Sequence, residues 1–229
     1  MIEDPPLMTI RRNFTHPTTD QVNAFRGVPC GFVVDAMQGR GALDYRIKPI
    51  SNNHAVFAGV AVTCDNGPAD NLAAFCAMEV AAPGDVILAA ADGFTETAVS
   101  GDLMLGMARN KGVTAFVTDG LVRDIEGILE VGMPCFAMGV TPNSPVRNGP
   151  GTVGTPIVIG GVAAQSGDIV IGDINGVVVV PHAMIDHVLD QLETIKVAET
   201  EMDAKVKAGL TTPPFIEDFM NSKQVKEVD

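Results

Sequence analysis

Gly101-Asp102-Leu103-Met104 and, after twenty residues beyond the aspartate, Arg123-Asp124 are the residues of this chain best equipped for chemistry. Asp102 and Asp124 are hard oxygen donors. Mg²⁺ or Mn²⁺ takes only one or two protein carboxylates and keeps several waters, so a sparse acidic set suits such an ion. Arg123 offers a rigid fork of N–H donors that matches a carboxylate or an enolate oxygen. If a helix starts at Asp102, its first amides, including those of Leu103 and Met104, lack intrahelical acceptors and favour an anion. Gly101 would let that anion approach the backbone closely. The chemistry implied is binding of a small oxo-acid on a divalent metal. Each feature also has an ordinary explanation. An aspartate in a first helical turn suits the dipole, and an Arg-Asp neighbour pair is commonly a solvated surface pair.

The elements around these residues must bring them together. Ser100-Gly101 breaks the preceding run, and Asp102 to Lys111 reads as a helix with Leu103, Met104, Met107 and Ala108 on its apolar face. Gly112 suits its C-terminal cap. Val113 to Thr118 reads as a buried strand, and Asp119-Gly120 as a turn. Ten helical residues span about 15 Å, and six strand residues roughly 20 Å. The strand therefore returns to the helix N-terminus, where α/β units usually bind ligands.

Composition narrows the alternatives. The chain has 229 residues, 46% of them apolar, which is ample for one large core. Its net charge of −13 argues against nucleic acid as a partner, because a phosphate backbone would be repelled. It also means that an anionic substrate needs a local positive focus such as Arg123. No apolar run is long enough to span a membrane, and the acidic, Pro-containing start does not read as a signal peptide. The expectation is a cytoplasmic protein without a membrane partner. Cys30, Cys64, Cys76 and Cys135 are scattered and read as reduced thiols. His182 and His187 are five apart, a poor spacing for joint ligation.

Residues 1–20 read as a loosely attached arm, with a helix starting near Thr19-Asp20. Ala55 to Cys64 reads as a buried strand, Asp70 to Ala81 as a helix and Val86 to Ala90 as a strand. Pro83-Gly84-Asp85-Val86-Ile87 is echoed by Ser166-Gly167-Asp168-Ile169-Val170, which points to a strand-entry turn used twice. Ile157 to Val162, Ile169 to Ile171 and Val177 to Val180 read as further short strands. Gly149 to Gly154 reads as a flexible loop, since it lacks the Lys-Ser/Thr ending of a phosphate loop. From Pro181 a long helix carries an apolar stripe from Ile185 to Val206 and stops at Gly209.

Over about Cys30 to Asp186 the chain resembles the family that joins 4-hydroxy-4-methyl-2-oxoglutarate aldolases to the regulator of ribonuclease E activity. Four segments carry the likeness: Gly67 to Leu72, Pro83 to Val86, Gly101 to Asp124, and Gly167-Asp168 to Pro181. The most specific element is an aspartate, twenty residues, then Arg-Asp, here Asp102, Arg123 and Asp124. The resemblance implies an α/β fold: a three-layer, α-β-β-α sandwich-like single domain of the swivelling-domain type with a long C-terminal helix. It divides the chain into an arm (1–20), an aldolase-like catalytic domain (21–186) and a C-terminal helix and tail (187–229) packing on a neighbouring subunit. The assembly implied is a homotrimer or a pair of trimers.

For the site, the resemblance implies that Asp124 binds Mg²⁺ or Mn²⁺. Arg123 holds substrate and stabilises the enolate, and Gly101 to Met104 receive the pyruvyl carboxylate. Asp102 orients metal waters or assists proton transfer. Glu199 is the candidate acid supplied in trans by a neighbouring subunit. The reaction implied is metal-dependent retro-aldol cleavage of a 4-hydroxy-2-oxo dicarboxylic acid, of the 4-hydroxy-4-methyl-2-oxoglutarate or 4-carboxy-4-hydroxy-2-oxoadipate type. The products are pyruvate and a second oxo-acid, and oxaloacetate decarboxylation is the side activity. The alternatives are a non-catalytic binding protein of the ribonuclease-regulator type, in which the acid after the arginine tends to be lost, and a dedicated oxo-acid decarboxylase. Phe75, where many relatives carry histidine, and the tail after Gly209 depart from the family pattern.

Overall fold

Alternation along the strands decides the architecture, because neighbouring residues of one strand enter different cores. The computed structural model describes residues 6–228. In chain order its first half contains β1 (Met8–Ile10), α1 (Thr19–Ala24), α2 (Cys30–Ala36), β2 (Lys48–Pro49), β3 (Phe57–Asp65), α3 (Leu72–Val80), β4 (Asp85–Ala90), β5 (Ala98–Ser100) and α4 (Asp102–Asn110). There follow β6 (Ala115–Thr118), β7 (Leu121–Val122), α5 (Ile125–Val131), β8 (Cys135–Ala137), β9 (Gly151–Val153), β10 (Ile157–Ile159), β11 (Val162–Ala164), β12 (Ile169–Asp173), β13 (Gly176–Val180), α6 (Ile185–Lys207) and α7 (Phe215–Met220).

The main sheet runs β1-β9-β3-β4-β6-β8-β2, and β12 joins it through β3 and carries β13. β3, β4, β6 and β8 are parallel, while β9 and β12 lie antiparallel to β3. On β4, Ile87 and Ala89 face a core shared with α3 and α4, whereas Val86 and Leu88 face an inner core. On β13, Val177 and Val179 enter that same inner core, and Val178 and Val180 face α2 and α6. The layers are thus helices α3 to α5, two β layers, and helices α1, α2 and α6. β3 links the β layers, since Ala58 and Val60 belong to the outer core with α2 and α6 while Val62 and Cys64 belong to the core under α3. This is the mixed α/β single domain with a long C-terminal helix expected from the sequence.

The repeated turn is present in both places. The Ala82 amide donates to Asp85 Oδ2 at 2.8 Å, and the Gln165 amide donates to Asp168 Oδ2 at 2.9 Å. Gly84 and Gly167 sit at φ +96° and +99°, where a side chain would be strained. Each turn launches a buried strand, β4 or β12.

Three segments differ from expectation. The arm is sewn to the sheet: β1 pairs in parallel with β9, and the Arg11 amide donates to the Val153 carbonyl at 2.8 Å. The Gly-rich stretch is correspondingly not a free loop, because Gly151–Val153 is a strand between β1 and β3. Ile157 to Val162 is not one strand but the start of a hairpin, with Gly160 and Gly161 at φ +52° and +79° turning the chain. On α6, Ile185, Val188 and Leu192 are buried, but Met202 and Val206 further along are 39% and 55% exposed. Among the described residues, no helix is long and apolar enough to cross a membrane.

Candidate active site

α4 runs outward from β5 and β6 returns, as element lengths require, so the α4 N-terminus meets the β7–α5 junction. The Arg123 amide donates to the Ser100 carbonyl at 3.0 Å, which ties that junction directly to the start of α4. Gly101 is the N-cap of α4, with extended backbone at φ −146°. Its absence of a side chain matters because of its neighbours: a Cβ there would lie 2.5 Å from Asp124 Oδ2 and 3.2 Å from Arg123 Cγ.

Asp124 occupies the left-handed region at φ 60°, ψ 48°, and is the N-cap residue of α5 without using its side chain to cap. A non-glycine residue held there is uncommon, and such strain collects at functional sites. It turns the carboxylate back, where Oδ2 meets Arg123 Nε at 3.0 Å. Arg123 also donates from Nη1 to the Ser144 hydroxyl. Asp102 accepts the Leu103 amide on Oδ1 at 2.7 Å. Its side chain lies against α5, where a Cβ on Gly127 would collide with it. That hydrogen bond corrects one expectation. The Leu103 amide is already engaged by Asp102, whereas the Met104 amide has no protein acceptor among the described residues.

These groups line one cavity of about 350 Å³ that includes Gly101, Asp102, Leu103, Met104, Arg123 and Asp124. Its other wall comes from residues that sequence reasoning did not single out as site residues. Asn71 precedes α3, Phe75 lies on it, and Ser144 and Arg147 come from the loop between β8 and β9. The Arg147 guanidinium carbon is 5.0 Å from the centre of the Phe75 ring, a cation–π distance. Two guanidinium groups thus face one cavity in a strongly acidic protein. Glu199 does not line it; it lies exposed on the outer part of α6.

Among the described residues there is no group of three or more His, Cys, Asp or Glu placed to hold a metal. Among the described residues Asp124 Oδ1 receives no hydrogen bond, and Asp102 is the other carboxylate that lines the cavity. That set fits a hydrated Mg²⁺ or Mn²⁺, not a soft ion that demands a full protein cage.

The family model described as RraA-like, aldolase/RraA, matches residues 31–179. The chain belongs to the RraA-like family. A Halalkalibacterium halodurans member named "Putative 4-hydroxy-4-methyl-2-oxoglutarate aldolase" is 38% identical over 172 residues, covering 75% of this chain and 81% of that protein. The RraA-like fold recurs in solved structures. The RNA-processing inhibitor RraA of Thermus thermophilis has a TM-score of 0.62 at 27% identity, covering 67% of this chain and 93% of that one. An uncharacterized protein of Pseudomonas syringae pv. tomato has a TM-score of 0.75 at 23% identity, covering 86% and 97%, a likeness of fold alone. The chain is thus similar both to an aldolase-named protein and to an RNA-processing inhibitor.

Proposed function

We propose that this chain is a divalent-metal-dependent aldolase that cleaves a 4-hydroxy-2-oxo dicarboxylic acid into pyruvate and a second oxo-acid. The observation that carries this reading is the convergence of Arg123 and Asp124 on Gly101 at the start of α4, within one cavity. The 38% identity to an aldolase-named protein supports a lyase.

Asp124, with Asp102 nearby, would hold Mg²⁺ or Mn²⁺. When bound, that ion supplies Lewis acidity towards the keto oxygen and carboxylate of the substrate. The Met104 amide at the α4 N-terminus receives the pyruvyl carboxylate. Arg123, already oriented by Asp124 and Ser144, donates to the oxygen on which charge develops. Cleavage breaks the C3–C4 bond as the 4-hydroxyl proton leaves to a base. The electron pair passes to the pyruvate enolate, which is then protonated at C3. Asp102 would carry a proton or orient the water that does. Oxaloacetate would yield the same enolate by losing carbon dioxide.

The assembly read here is a homotrimer or a dimer of trimers, with Glu199 contributed by a neighbouring copy. The exposure of Val197, Val206 and Phe215 on α6 and α7, at 59%, 55% and 65%, supports a partner for that face. The competing reading is a binding protein of the RraA type, supported by the Thermus relative. One assay separates the two: pyruvate release from 4-hydroxy-4-methyl-2-oxoglutarate and from oxaloacetate, with Mg²⁺ and then with chelator. Metal-dependent turnover is expected. Its absence with both acids would refute the aldolase.

A further inference from the structure

The bond-breaking groups leave one cation of the cavity unused. Arg123 is committed: its Nε meets Asp124 Oδ2 at 3.0 Å, and its Nη1 donates to Ser144. Arg147 lines the same cavity, is exposed, and takes part in no ion pair among the described residues. Its guanidinium carbon lies 5.0 Å from the centre of the Phe75 ring. A guanidinium resting on an aromatic face keeps its in-plane N–H donors free for a carboxylate. Phe75 belongs to α3 and packs against the core beneath that helix, so the platform is fixed.

The backbone that carries Arg147 is held on both sides. The Asn71 amide donates to the Val146 carbonyl at 3.1 Å and the Val146 amide to the Ala69 carbonyl at 2.8 Å. The buried Asp70 carboxylate accepts the amides of Asn148 and Gly149 on Oδ2, at 2.6 and 3.0 Å, and that of Leu72 on Oδ1 at 2.8 Å. Arg147 is thus presented from a short stretch tied down immediately before and after it. Asp70 directs its oxygens to these amides and forms no ion pair with Arg147. The result is a fixed cation with planar donors, facing a cavity and without an internal counter-ion.

We propose that Arg147, seated on Phe75, binds the second carboxylate of the substrate, the one attached to C4. It thereby sets a preference for dicarboxylic over monocarboxylic 4-hydroxy-2-oxo acids. The inference rests on the aldolase reading and deepens it. In that reading the α4 N-terminus receives the pyruvyl carboxylate and Arg123 serves the enolate oxygen, so the first half of the substrate leaves Arg147 free. A dianion entering a chain of net charge −13 needs a second local cation. Arg147 takes no part in breaking the C3–C4 bond, and the 4-hydroxyl proton leaves to the base as before.

The test compares kcat/KM, with Mg²⁺, for 4-hydroxy-4-methyl-2-oxoglutarate and for 4-hydroxy-4-methyl-2-oxopentanoate, in which a methyl group replaces the carboxylate on C4. Full-length wild type and Arg147→Met are assayed by pyruvate release. Any intrinsic difference in reactivity between the two acids cancels, because the same pair is compared in both proteins. Arg147→Met should lose roughly 10- to 100-fold on the diacid, mainly through KM, and stay within about threefold of wild type on the monoacid. The inhibition constant of pyruvate, which ends before C4, should likewise hold within about threefold, and it serves where the monoacid turns over too slowly to follow. Equal losses on both acids, a matching loss of pyruvate affinity, or no loss on the diacid would overturn the subsite and leave the aldolase reading intact. A wild type that releases pyruvate from neither acid would refute the aldolase reading and the subsite with it.

Discussion

Gly101 and Asp124 are packed so closely that a Cβ on the glycine would lie 2.5 Å from Asp124 Oδ2. The Gly101 backbone is extended and suits any residue, so this proximity, not conformation, excludes larger side chains. Gly101→Ala should displace the Asp124 carboxylate while sparing the fold. A shift of about 1 Å at a reacting centre can cost on the order of 100-fold. The expected result is a loss of that size in Mg²⁺-dependent oxaloacetate decarboxylation with a nearly unchanged melting temperature. Full activity would show that the contact does not position Asp124.

Asp124→Asn keeps the shape of the side chain and removes its charge. Calorimetric titration with Mn²⁺ should show at least a tenfold weaker affinity, the low end of what a lost charged contact costs. Equal affinity would remove Asp124 from the metal site.

Burial pushes the carboxyl groups of Asp85, Asp119 and Asp168 above their usual range. A carboxyl whose folded pKa is raised stabilises the fold fully below its unfolded value of about 4, and that contribution is lost as pH rises through the folded pKa. Asp168 accepts the amides of Gln165 and His182 on separate oxygens at 2.9 and 2.8 Å, and Asp168→Asn keeps that shape without the titration. The stability of wild type relative to this variant should therefore be highest near pH 4 and fall towards pH 8. Urea unfolding at both pH values measures this, and an advantage that grows with pH would contradict it.

Removing residues 1–10 deletes β1 and leaves β9 as an edge. Each lost backbone hydrogen bond is worth about 1 kcal/mol net, and a chain of this size loses about 2–4 °C per kcal/mol. A melting temperature lower by roughly 5–10 °C is expected by calorimetry. An unchanged value would mean that the arm is energetically loose despite its pairing.

The pyruvyl side of the site was legible because its signals are local. Gly101 opens α4, Gly112 at φ +87° follows it, and the return strand is a continuous apolar run, so element lengths alone bring Asp102 to Arg123-Asp124. The rest of the lining was not, because Arg147 reaches the cavity through pairing between residues 69–71 and 146–149, which leaves no periodic trace. For the same reason β1 passed as a loose arm: three residues paired with a strand more than a hundred positions away carry no local signature. Residues 157–162 read as one strand from their apolar character, and only the positive φ of Gly160 and Gly161 reveals the hairpin. Phe75 was visible as a departure from relatives, but its use as a platform for Arg147 needed the structure.

The loop between β8 and β9 is exposed over most of its length, yet it is tied to the cavity by the Arg123–Ser144 hydrogen bond and by the pairing of Val146 with Ala69 and Asn71. In the proposed enzyme, the bond-breaking groups and the residues of this loop that line the same cavity are thus encoded in different stretches of the gene. A few substitutions in residues 144–147 could redirect the chain to another acid without rebuilding its catalytic core, which gives this scaffold a cheap route to new substrates.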